Sequence, residues 1–128
     1  MLFAIPSKDN PERLSVRGTH SAEHVSYLEQ HTTSILAAGA LRREDGAVPM
    51  GGLWIVEAQS AQAAQALVEA DPFFREGLHL AVHVRHWGRA AWSDAFAACV
   101  TAHQADQTEF AGSGSVRSEE ALNNRRCG

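Results

Sequence analysis

Apolar and polar positions alternate most cleanly between Leu78 and Trp87. Leu78, Leu80, Val82 and Val84 fall on one side, and His79, Ala81, His83, Arg85 and Trp87 on the other. That period of two predicts a strand. Three earlier strands are predicted from short apolar runs bounded by turn residues: Leu2 to Ser7, Ile35 to Leu41 and Gly51 to Ala58. The first is closed by Pro6 and by the turn-rich Ser7-Lys8-Asp9-Asn10-Pro11, and positions 8–18 read as polar loop. Asp45-Gly46 is a hairpin signal between the second and third strands. Gly51-Gly52 opens a strand rather than a helix, so it is not a phosphate loop.

Two stretches carry the helical period instead. Thr19 or Ser21 is placed to cap a helix running to about Thr33, with Glu23 in its first turn. Ser21, Val25, Leu28 and Thr32 make its inward stripe, and His20, His24, Tyr27 and His31 lie beside that stripe, at the margin of the buried face. Ser60 caps a second helix, Ala61 to Ala70, which turns Ala64, Leu67 and Val68 to the sheet. It stops before Asp71-Pro72, because proline disfavours helical geometry in the residue before it.

The order strand, helix, strand, strand, helix, strand predicts a ferredoxin-like α+β fold. Its four-stranded antiparallel sheet carries both helices on one face. The other face would expose Leu53 or Trp54 and the row from His79 to Trp87, too much semi-apolar surface for a small domain. A homodimer joined through that face is therefore expected, with His79, His83 and Arg85 as polar interface contacts. After Trp87 the period changes. A C-terminal extension is expected over 89–128: a helix at about 90–104, using Ala91, Trp92, Ala95, Phe96, Cys99 and Val100, and then a flexible tail containing Gly112-Ser113-Gly114-Ser115.

Composition narrows the function classes. The chain has 128 residues, 45% of them apolar and 20% charged, with a net charge of −4 and no basic run. Nucleic acid and anionic membranes are poor partners for such a chain. Cys99 and Cys127 form no metal or redox pattern. Met1 to Pro6 lacks the basic region of a signal peptide, and no apolar run approaches membrane-spanning length, so a cytoplasmic location is expected.

The candidate chemistry centres on Asp71. A carboxylate at a helix C-terminus is disfavoured by the macrodipole, and beside Phe73 and Phe74 it asks for a cationic or proton-donating partner. The histidines of the first helix are the candidates. His20 and His24 have the i, i+4 spacing of a zinc half-site, but Glu23 precedes His24 rather than following His20, so the metalloprotease motif is absent. No metal and no cofactor are expected. Arg17, just before the helix, is placed to steer a carboxylate or phenolate. Tyr27 is either a wall of the site or a core edge with a wet hydroxyl.

The series Arg17, His20, His24-Val25-Ser26-Tyr27-Leu28, Leu36-Ala37-Ala38-Gly39-Ala40-Leu41, Gly51-Gly52-Leu53-Trp54-Ile55-Val56-Glu57-Ala58, Ala70-Asp71-Pro72-Phe73, Gly77-Leu78 and Val84 to Trp87 resembles the YCII-related (YciI-like) family over about residues 1–88. The resemblance implies a ferredoxin-like, usually dimeric domain with a site built on a histidine and an aspartate, matched here by His24 and Asp71. One branch of that family, the chlorohydroxyhydroquinone dehydrochlorinases, implies cofactor-free elimination. The expectation is thus a small-molecule enzyme. His24 would move the proton, Asp71 would orient it, and Arg17, His20 and Tyr27 would hold an anionic or phenolic substrate. The alternative is a non-catalytic dimeric module that binds a small ligand or a protein.

Overall fold

The computed structural model describes residues 1–98. The chain divides into two units, residues 1–88 and 89–128. In the first, strand β1 (Leu2–Asp9) leads through a 3-10 turn (Pro11–Arg13) into helices α1 (Ser15–Thr19) and α2 (Ser21–Gln30). Strands β2 (Ile35–Arg42) and β3 (Pro49–Glu57) follow, then α3 (Ala61–Glu69), a short α4 (Pro72–Arg75), β4 (His79–Val82) and β5 (Arg85–His86). The strands form one antiparallel sheet in the order β2-β3-β1-β4, with β5 also paired to β1. This α+β arrangement is consistent with a ferredoxin-like fold.

Both long helices cover the same side of the sheet. Phe3 and Ile5 of β1, Ile35 of β2 and Trp54 and Val56 of β3 form a buried cluster with Ala64 and Val68 of α3, and Tyr27 and Leu28 of α2 pack against it. Trp54 thus belongs to the covered face, and Leu53, 38% exposed, to the open one. A second cluster, Val16, Phe73 and Leu78, joins α1, α4 and the entry to β4.

Two local expectations hold for the reasons given. Ser60 Oγ accepts from the Ala63 amide at 3.1 Å and caps α3. Asp45-Gly46 makes the β2–β3 turn, with the Asp45 carboxylate accepting from the Ala47 amide at 2.9 Å. Gly77 ends α4 at φ 79°, a left-handed conformation that other residues adopt at a cost.

Three expectations are corrected. Residues 8–18 are not loop: β1 runs to Asp9, and Asn10 caps the following turn by accepting from the Glu12 amide at 3.0 Å, with Pro11 behind it. On α2 the inward stripe is His24, Tyr27, Leu28 and His31, whereas Val25 is 45% exposed. The fourth strand is not continuous. Pro6 lies in the central strand opposite His83; the His83 amide donates to the Pro6 carbonyl at 3.0 Å, but proline has no N–H to return. The ladder breaks at that pair, leaving β4 and β5 on either side.

A second irregularity has larger consequences. Lys8 pairs with Ala81 and Asp9 with His79, so Leu80 is an extra, unopposed residue. The bulge reverses which way His79 points. It faces the helices beside Asp9, not the open sheet face with His83 and Arg85, and Leu80 is turned out at 57% exposure.

In the second unit, the Ser93 hydroxyl accepts from the Phe96 amide at 3.1 Å and starts a helix over 94–98. The Trp92 and Phe96 rings stack at 4.6 Å. The remainder of the helix expected to reach 104, and the tail expected after it, lie outside the described residues.

Gly51 shows how tightly β1 and β3 meet, since a Cβ there would lie 2.0 Å from the Ser7 carbonyl oxygen. Gly51→Ala is expected to cost about 3 kcal/mol in urea unfolding. Gly39→Ala, on a strand of the same sheet with nothing within 4 Å, should change stability by less than about 0.5 kcal/mol.

Candidate active site

Asp71 occupies the corner between two helices. α3 ends at Glu69, and the extended backbone of Asp71 starts α4, with Pro72 in its first turn. The carboxylate therefore stands at a helix start as well as beyond a helix end, which removes the dipole conflict expected from sequence. Its side chain makes no capping bond. It points inward, 1% exposed, and Oδ1 accepts a 2.7 Å hydrogen bond from His24 Nδ1.

The imidazole of His24 is held on two sides. Its side chain is 16% exposed. The Phe73 ring stacks on it at 3.9 Å with the planes 8° apart, and Trp54 lies tilted at 6.4 Å. Because the carboxylate can only accept, the proton sits on Nδ1 and Nε2 is left to exchange one.

A second buried acid adjoins this pair. Asp9, with a side chain 2% exposed, accepts from Arg17 Nε at 2.7 Å and from Nη2 at 3.1 Å. Nη2 also donates to the Gly51 carbonyl at 2.9 Å. The guanidinium carbon lies 5.6 Å from the centre of the Phe73 ring that stacks on His24. His79, brought in by the bulge, has Nδ1 3.6 Å from Asp9 Oδ1 and a side chain 8% exposed. Burial lowers its pKa; Asp9 and Asp71 pull it back up and Arg17 pushes it down.

The remaining expected residues take separate places. The Tyr27 hydroxyl donates to the Leu67 carbonyl at 2.5 Å, so it ties α2 to α3. Burial, and then the charge of Asp71, raises its pKa above the ordinary phenol value. His20 is the junction between α1 and α2. Its ring lies 3.4 Å from Glu23 and 3.7 Å from Glu76, both largely solvated. His31 donates from Nδ1 to the Tyr27 carbonyl at 2.8 Å. Among the described residues no group of three or more His, Cys, Asp or Glu is disposed to hold a metal ion. None of their helices is long and apolar enough to cross a membrane.

The YCII-related domain matches residues 1–88. The chain belongs to the YCII-related family. Among solved structures it is similar to 5-chloro-2-hydroxyhydroquinone dehydrochlorinase from Burkholderia phenoliruptrix AC1100, in complex with 2,5-dihydroxybenzoquinone. The two are 35% identical with a TM-score of 0.62, over 70% of this chain and 96% of the other. No curated protein matches. The described site of this YCII-related chain also contains Asp9 and His79, which sequence patterning missed. Asp9 sat in a stretch read as a turn, and the unbroken alternation from Leu78 to Trp87 hid the bulge.

The lowered pKa of His79 sets a sign for the acid limb of stability. Below the ordinary imidazole value of about 6.5 the unfolded chain takes up a proton at this position that the folded chain resists, so stability falls as pH drops through that value. Urea unfolding between pH 7.5 and 5.5 should show this loss, and His79→Gln should shrink it. Tyr27→Phe leaves the Leu67 carbonyl without its donor and is expected to cost about 1 kcal/mol at pH 7. It should also remove the part of the stability loss that Tyr27 causes when pH rises above about 10.

Proposed function

We propose that this protein is a cofactor-independent enzyme that moves a proton on a small phenolic or anionic metabolite, with His24 as the exchanging base and Asp71 as its orienting partner. The 2.7 Å bond from the partly accessible His24 to the buried Asp71 carries the reading. A carboxylate that only accepts holds the neutral ring with Nε2 as base and stabilises the cation formed when Nε2 takes a proton. The same arrangement returns the proton in a later step.

Two reactions fit such a group. In an elimination, Nε2 removes a proton from the substrate, the electron pair left behind forms a new double bond, and a leaving group departs from the adjacent position with its own bonding pair. In an isomerisation, the pair shifts and the proton is returned to a neighbouring atom. The dehydrochlorinase likeness supports the first, and loss of hydrogen chloride from a chlorinated hydroquinone is the case to test. Arg17 is the candidate for the substrate's negative group, since it lies against Phe73 at the edge of the pair. Tyr27 and His20 would bound the site on the α2 side. In this reading the domain works in the cytoplasm as a homodimer joined through the open sheet face, which carries Leu53, Ile55, Ala81, His83 and Arg85. The 89–128 segment is an extension of that domain.

The test is chloride release from 5-chloro-2-hydroxyhydroquinone and related chlorinated hydroquinones, measured against the uncatalysed rate. His24→Ala should lower kcat by about 10²-fold or more, and Asp71→Asn should also lower it, with the fold retained by circular dichroism. Turnover that survives His24→Ala would remove the proton-transfer role. Binding of 2,5-dihydroxybenzoquinone without turnover of any substrate, lost in Asp71→Asn, would favour a binding module instead.

A further inference from the structure

Regular pairing of β4 with β1 would set Leu80 opposite Asp9, on the helix-covered side, and leave His79 on the open face. The bulge does the reverse: His79 is taken in to 8% side-chain exposure and Leu80 is put out at 57%. Hydrophobic burial favours the opposite choice, since leucine gains more than histidine from leaving water. A bulge that re-aims a side chain against that preference is a common device next to a reaction site. Here it delivers a titratable ring into a pocket that already holds two acids.

The groups facing His79 come from three elements. Asp9 of β1 is 3.6 Å away, Arg17 of α1 is forked onto Asp9, and Asp71 between α3 and α4 is close enough to act on its charge. From α4, the uncharged ring of Phe74 lies 6.5 Å off. Asp71 uses Oδ1 for His24, and its Oδ2 is buried without a hydrogen-bond partner. The charge of Asp71 is thus not saturated by its one bond, and any cation arising nearby competes with His24 for it.

We propose that His79 is a positioning residue for His24 that acts through Asp71: while neutral it leaves the full charge of Asp71 to the His24 imidazole, and when protonated it draws on that charge and makes His24 a weaker base. This rests on the proton-exchanging role given to His24 above. Burial keeps His79 neutral near neutral pH and confines the effect to acid pH. Arg17, by holding Asp9, limits how far Asp9 alone can stabilise a charged His79.

The test is NMR titration of the two imidazoles in the full chain from pH 8 to pH 4.5. In the wild-type protein the His24 resonances should show a second inflection where His79 itself titrates. In His79→Gln that inflection should vanish, leaving a single titration step for His24. The acid limb of kcat/KM for any substrate turned over should lose the same second step. In an Asp71→Asn background, His79→Gln should no longer alter the His24 curve. A residue that merely fills space would change thermal stability and leave the His24 curve alone. A second His24 inflection that persists in His79→Gln, or a wild-type His24 curve with no inflection where His79 titrates, overturns the proposal; the second needs no variant to fold. If Asp71→Asn alters the His24 curve while His79→Gln does not, only the role of His79 is lost. If Asp71→Asn also leaves His24 unmoved, the proton-transfer reading falls as well.

Discussion

A carboxylate removed from water needs a partner that can stabilise its charge, and Asp71, 1% exposed, has one hydrogen bond with which to meet that need. Much of the local structure follows from the bond to His24. α2 must turn its histidine stripe to the core, at the expense of Val25, so that the imidazole reaches 47 residues along the chain. Pro72 ends one helix and starts another, which swings Asp71 inward and sets Phe73 flat against the ring. The Tyr27 hydroxyl then fastens α2 to the α3 backbone one turn before that corner.

The neighbouring Asp9–Arg17 pair solves the same problem differently. There the acid receives two donors from one guanidinium, whose third contact is a β3 carbonyl, so the charge is matched within the framework. Asp71 is matched by a group that can change its own protonation, and one of its oxygens is left without a bond. The two buried acids are thus matched differently, one by a fixed guanidinium and the other by a titratable ring. The likeness to a dehydrochlorinase is in keeping with such a site, since loss of hydrogen chloride asks for proton movement.

The architecture was legible because its signals are local and redundant. Strand runs, Ser60, Asp45-Gly46 and the stop at Pro72 each specify a boundary by their own backbone chemistry, and they agree on the element order. The His24–Asp71 pair was legible in part: an acid beside aromatics needs a partner, and the α2 histidines were the candidates on hand. What could not be read depends on pairing across strands. The interruption at His83 comes from a missing N–H on Pro6 in another strand, and the reversal of His79 comes from one extra residue in a pairing that alternation alone cannot reveal. The inward turn of His24 in place of Val25 has the same origin, because the demand for it lies at Asp71 and not in the helix.

Asp71 holds His24 as the Nδ1–H tautomer, with Nε2 as the basic nitrogen. Nitrogen-15 NMR of histidine-labelled protein at pH 8 tests this most directly. His24 should show a pyrrole-type shift for Nδ1 and a pyridine-type shift for Nε2, with a downfield Nδ1 proton that Asp71→Asn weakens or removes. A His24 ring protonated on Nε2, or a free mixture of tautomers unaffected by Asp71→Asn, would contradict it.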